Sequence, residues 1–164
     1  MQHNRHTKIT FVKCDYCNQL AQLVKGDVIY PHRPDLYALN FWYCEPCGAY
    51  VGCHKYNEKQ GRDGFQPLGR LANAELRAAK TKAHTLFDPL WKNKHFKSRR
   101  KAYAWLANNM QLPIEKTHIG MFTVAQCDQV IEICKKYKQS ERFKNEDLRN
   151  VRADTRSLDK WENL

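Results

Sequence analysis

The chain has 164 residues, with 28 Lys and Arg against 17 Asp and Glu, for a formal charge of +11. That length admits one or two small domains, and a composition 42% hydrophobic and 12% aromatic excludes wholesale disorder. No apolar run approaches the ~20 residues of a bilayer span, and Met1-Gln2-His3-Asn4-Arg5-His6 lacks the apolar stretch of a secretory signal, so the expectation is a cytoplasmic protein with no membrane partner.

Residues 8–53 read as β structure. Lys8–Lys13 is a short strand leading into Cys14-x-x-Cys17, and Gln19–Val24 alternates polar and apolar residues on the way out. Gly26-Asp27 marks a turn, Val28–Tyr30 reads as another strand and His32–Asp35 as a loop. Leu36–Tyr43 runs into Cys44-x-x-Cys47, and Ala49–Val51 leaves it. Asn18 and Gly48, just past each pair, suit tight turns with positive φ. The two pairs are separated by 26 residues. Four thiolates so arranged can surround one Zn²⁺ tetrahedrally, in a closed site of the structural kind. Cys14, Cys17, Cys44 and Cys47 are therefore the candidate ligands of a single structural zinc, with Phe41, Trp42 and Tyr43 expected beside it. Cys53-His54, six residues past Cys47, reads as a packed thiol next to a surface imidazole.

The polar, glycine-rich stretch 59–72 reads as a linker. From residue 73 the periodicity turns helical. Asn73 caps a first helix to about Phe87, with Leu76, Ala79, Ala83 and Leu86 or Phe87 on its apolar face, and Asp88-Pro89 is expected to stop it. Ser98 caps a second, Arg99 to about Met110, with Ala102, Tyr103, Leu106 and Met110 inward. Thr123 and Gln126 form a capping box for a third, to about Lys138. Cys127 and Cys134 fall on its apolar stripe and read as core thiols. The expectation is an α+β protein: a zinc ribbon over 1–58, a linker over 59–72, a helical domain over 73–139, and a charged helix or tail over 140–164.

The charge is uneven. Residues 70–101 hold ten basic and two acidic groups, net +8, while the other 132 residues together contribute +3. A field concentrated in this way attracts polyanions. Arg70, just ahead of the first helix, and Arg77, Lys80 and Lys82 within it are placed to line one side. Lys92, Lys94, Lys97, Arg99, Arg100 and Lys101 cluster at the start of the second, where free backbone amides would add to a phosphate site. Trp91, His95, Phe96 and Tyr103 are interleaved with these cations, placed either to stack on unpaired bases or to anchor a core.

Several longer strings carry a family resemblance. They are Cys14-x-x-Cys17 with Tyr43-Cys44-Glu-Pro-Cys47-Gly-Ala-Tyr-Val-Gly-Cys-His54, Pro67-Leu-Gly-Arg-Leu-Ala-Asn-Ala-Glu-Leu-Arg77, Ala83-His84, Phe87-Asp-Pro-Leu-Trp91, Arg99-Arg-Lys-Ala-Tyr-Ala-Trp-Leu106 and His118-Ile-Gly-Met-Phe122. Over about residues 10 to 138 the chain resembles the zinc-finger-containing domain family of bacteria and their phages. The resemblance implies a zinc-ribbon start, a helical remainder and a phage or prophage setting in a bacterial cell. It implies no established activity and no catalytic residue.

His54, Glu75, His84, Asp88 and His118 are the residue types for acid–base or hydrolytic metal chemistry. No motif joins them into a reaction class. His84 and Asp88 are four apart, a spacing that suits a helix-ending pair, and His118 is placed to orient the turn at Ile119-Gly120. The sequence therefore reads as a binding module for DNA or RNA. A factor that engages a host or phage protein and a metal-dependent nuclease stand as alternatives.

Overall fold

The computed structural model describes residues 11–158, with side chains through residue 145. It divides into two compact units: residues 11–81 with His118–Val124, and Lys82–Thr117 with residues 125–158.

The first unit is built on a three-stranded antiparallel sheet in the order β1 (Gln22–Lys25), β2 (Asn40–Cys44), β3 (Ala49–Gly52). Leu23 pairs with Trp42, and Trp42 with Val51. Ahead of β1, Lys13 and Leu20 pair as an isolated bridge, closing a small hairpin around the first cysteine pair. The expected strand from Lys8 begins outside the described residues and within them is limited to this bridge. Val28–Tyr30 is not a strand. Residues Gly26–Ile29 form a single helical turn, α1, closed by Tyr30 N–H donating to Gly26 O at 2.7 Å. Gly26 is buried, and a Cβ there would collide with the Leu36 carbonyl, so the turn depends on glycine. Residues Pro34–Leu36 form a 3₁₀ turn, which shortens the strand expected from Leu36.

Alternation along β2 sorts the aromatic run. Trp42 shares one face with Cys44, in a buried cluster with Cys14, Ala21, Ala49 and Leu71. Phe41 belongs to the other face, edge-on to Tyr30 and Tyr50. Of the three aromatics expected at the cysteines, Trp42 is the one in their cluster. Its indole N–H donates to Phe65 O at 2.7 Å, which ties segment 59–72 to the sheet. The same segment bridges Pro67 to Cys53 and Ala72 to Tyr50, and Leu71 is fully buried. Residues His118–Val124 return to this unit. Arg70 N–H and the Lys80 ammonium both donate to Gly120 O, at 3.2 and 2.7 Å. Gly69 passes so close to Gly120 that a Cβ would strike its carbonyl.

Helix α2 (Ala74–Lys92) starts in this unit, where Asn73 Oδ1 accepts from Leu76 N–H at 3.0 Å, and ends in the second. Pro89 does not stop it. Phe87 and Leu90 are buried on one face, and extending the helix by one turn keeps Leu90 inside. That burial is worth about 2 kcal/mol, enough to offset much of the proline's cost.

In the second unit, α3 (Arg99–Met110) is capped by Ser98, whose hydroxyl accepts from Lys101 N–H at 3.2 Å. Its buried stripe is Ala102, Tyr103, Leu106, Ala107 and Met110, with Tyr103 4.7 Å from the Phe87 ring. Helix α4 (Val124–Leu158) begins just after Thr123 and buries Cys127, Val130 and Cys134. It runs on past Lys138 to Leu158, so the described part of the charged C-terminal stretch is helix, and residues 159–164 lie outside the described part. Burial pushes the Cys134 thiol up to about 11, the behaviour of a core thiol.

Candidate metal centre

Both cysteine pairs sit on hairpins whose backbones turn through the left-handed region. In the first, Asn18 has φ 60° and its N–H donates to Cys14 O at 2.8 Å. In the second, Gly48 has φ 56° and its N–H donates to Glu45 O at 3.0 Å. These turns aim the two sulfurs of each pair inward. All four Sγ atoms lie within 4.8 Å of one another, and those of Cys17 and Cys44 are 3.6 Å apart. Four sulfurs held tetrahedrally at ordinary zinc–thiolate distance would be about 3.8 Å apart, so a donor set this compact suits one such ion. Cys14 and Cys44 are buried, Cys47 is half-buried and Cys17 is exposed.

Electrostatics favours a cation at the centre. The Gln19 backbone N–H lowers the Cys17 thiol below its ordinary value, against the opposing effect of burial. Cys44 is pushed up, first by burial. Cys47 is pushed up to about 12, first by its contact with Cys17, then by burial and by Cys44 and Cys14. Sulfurs this close cannot all carry charge together unless a cation sits among them. Cys53 stands apart. Its thiol donates to Phe65 O at 3.6 Å, and burial pushes it up to about 11.

The remaining candidates make local contacts. His84 Nδ1 lies 3.1 Å from Asp88, which also takes Lys92 at 3.3 Å. Burial works to raise the Asp88 carboxyl, but these two partners hold it below its ordinary value. His118 Nδ1 accepts from Gly120 N–H at 3.2 Å and orients the turn Ile119–Met121. Within neither unit do three further His, Cys, Asp or Glu ligand atoms converge among the described residues.

The ten cations of residues 70–101 divide by environment. Arg70 pairs with Asp15 at 3.3 Å. Arg77 lies 4.0 Å over the Tyr50 ring and donates to Gly48 O, and Lys80 holds Gly120 O, so these three are tied into the first unit. In the second unit, Lys92 pairs with Asp88, and the Arg99 guanidinium lies 5.4 Å from the Tyr103 ring centroid. Lys82, Lys94, Lys97, Arg100 and Lys101 are exposed and have no carboxylate partner among the described residues.

Sequence reasoning missed an aromatic group in the second unit. Phe96, Trp105 and Tyr137 meet in pairs with ring centroids 5.2 to 5.7 Å apart. The signal that could have found it is the spacing of Lys101, Trp105 and Asn109, four apart, which stacks a cation, an indole and an amide on one side of α3.

No helix among the described residues is long and apolar enough to cross a membrane. Comparison with curated proteins and with solved structures finds no match to this chain. The family model described as a zinc-finger-containing domain matches residues 10–137, across both hairpins and all the helical core positions named above. With four converging thiols on paired hairpins and that match over most of its length, the chain belongs to the zinc-finger-containing domain family.

Proposed function

We propose that this is a zinc-binding nucleic-acid-binding protein of phage or prophage type, working in the bacterial cytoplasm. One Zn²⁺ held by Cys14, Cys17, Cys44 and Cys47 stabilises the first unit, and the basic segment 70–101 contacts phosphates. The choice of zinc follows from the donors: four thiolates in tetrahedral array suit a soft, tetrahedral ion, and a four-thiolate site leaves no open position for chemistry. The phage setting rests on the resemblance of the motifs.

The observation that carries the nucleic-acid reading is the run from Lys94 to Lys101. Lys94, Lys97, Arg100 and Lys101 are exposed, without carboxylate partners among the described residues, at the start of α3. Cations at a helix N-terminus oppose the helix dipole by a few tenths of a kcal/mol each, and no acidic residue occupies that first turn to compensate. A bound phosphate removes the conflict and uses the same amides.

The test is a gel-shift series with single- and double-stranded DNA and RNA across salt concentrations. Affinity falls steeply as salt rises, because each neutralised phosphate releases counterions. Charge reversal of Arg99, Arg100 and Lys101 weakens binding in a protein that still melts cooperatively. Unchanged affinity in that variant overturns the reading.

A further inference from the structure

We infer that the second unit holds an unpaired nucleobase of single-stranded nucleic acid in the groove lined by Trp105, Asn109, Ile133, Lys136, Tyr137 and Ser140. This rests on the nucleic-acid reading above and specifies its substrate class.

The groove is a cavity of about 470 Å³ on the described surface of the second unit, within the range of small-ligand sites. Two of its six lining residues, Trp105 and Tyr137, are aromatic. Trp105 and Tyr137 meet at 5.2 Å with planes 65° apart, and Phe96 tilts against both, at 5.2 and 5.7 Å. All three rings are half-buried, so part of each stays open to solvent. His95 stands edge-on to Tyr137 at 6.4 Å. Stacking on open aromatic faces is the sequence-tolerant way to hold a base.

These rings are held by the fold. Lys94 turns the chain through φ 61°, and Phe96 N–H donates to Leu90 O at 2.8 Å, which fixes the backbone carrying Phe96. Trp105 is one turn beyond Lys101 on α3, and Tyr137 sits on α4 between Ile133 and Ser140.

The polar groups decide the occupant. Asn109 uses its amide N–H on Trp105 O at 2.8 Å, which leaves the amide oxygen as an acceptor. Lys136 is the one charged residue, and no carboxylate appears, among the described residues that line the groove. Glu141, one turn beyond Tyr137, is paired with Lys144 at 2.9 Å. Lys97 adjoins Phe96 in sequence, and Lys101 shares the Trp105 side of α3. An aromatic pair beside cations that have no carboxylate partner among the described residues matches a base with its phosphates. A purely apolar partner would leave Lys136 desolvated without compensation.

The test compares metal-loaded full-length protein on fluorescent homothymidine and homouridine oligomers, and on a DNA duplex of the same length. The two oligomers separate single-stranded DNA from single-stranded RNA. Trp105→Leu and Tyr137→Leu are expected to weaken single-strand binding about fivefold or more and to leave duplex binding unchanged. Charge reversal of Arg99, Arg100 and Lys101 weakens both. Aromatic variants that bind single strands as tightly as the parent, while charge reversal still weakens binding, overturn the groove and spare the nucleic-acid reading. Charge reversal without effect overturns that reading as well. A second measurement avoids substitutions: photocrosslinking with iodinated pyrimidine oligomers on the unaltered protein. Adducts at Trp105 or Tyr137 are expected, and adducts confined to other residues overturn the proposal.

Discussion

The sulfurs of Cys17 and Cys44 lie 3.6 Å apart although 27 positions separate them in the chain. Each is brought there by its own hairpin, so the contact between the hairpins is made by donors that repel one another once ionised. Chelation of the bound ion is therefore expected to unfold the first unit, seen as loss of near-ultraviolet signal from Trp42 and restored by added Zn²⁺. Cys44→Ala abolishes stoichiometric zinc by elemental analysis. Cys53→Ala retains it, because that thiol bonds Phe65 O and lies outside the set.

The approach of Gly69 to Gly120 sets a second expectation. Gly69→Ala places a methyl group against a carbonyl that already accepts from Arg70 and Lys80. A cost of about 1–3 kcal/mol follows, measured by urea denaturation of metal-loaded protein. A parent-like midpoint would count against the described return of residues 118–124.

At the start of α3, stability and binding are expected to move in opposite directions. Arg99→Glu with Arg100→Glu replaces cations by carboxylates at a helix N-terminus and raises free-protein stability by about 0.5–1 kcal/mol. The same variant loses affinity for nucleic acid. Ser98→Ala removes the bond to Lys101 N–H and lowers stability by about 1 kcal/mol. Thermal melts beside salt-series titrations read both effects.

Asp88 predicts an acid-side loss of stability. Its carboxyl is held below its ordinary value against burial by His84 and Lys92. A depressed folded-state value means the stabilisation is fully present above the unfolded carboxyl pKa, about 3.9, and is lost as pH falls through the lowered value. Asp88→Asn should therefore be less stable than the parent near neutrality, and the gap should close as pH drops below about 4. Denaturation midpoints across that range check it.

The metal centre was legible in the sequence because its information is local. Each pair carries its own spacing and its own positive-φ residue, Asn18 or Gly48. The capped start of α3 and its inward stripe were legible for the same reason. The turn at Gly26–Ile29 was hidden, since Val28-Ile29-Tyr30 has strand propensity and the close approach of Gly26 to the Leu36 carbonyl leaves no periodic signal. Pro89 misled because the burial of Leu90 cannot be seen in a breaker residue. The docking of segment 59–72, through Trp42 to Phe65 and through Gly69 to Gly120, comes from glycines and main-chain carbonyls that carry no periodic signal. The groove at Trp105 and Tyr137 needed side chains from two helices to meet, which no single periodic stripe discloses.

The buried cluster on the Trp42 face has few bulky members: beside the two sulfurs of Cys14 and Cys44 it holds Trp42, Leu71 and two alanines. Much of what a leucine-rich centre would contribute is left to the bound cation. Newly made chains must then compete with other thiolate sites for a shared, scarce ion. The steady-state amount of mature protein will track the supply of that metal, so starvation for the ion removes it as surely as a silenced gene.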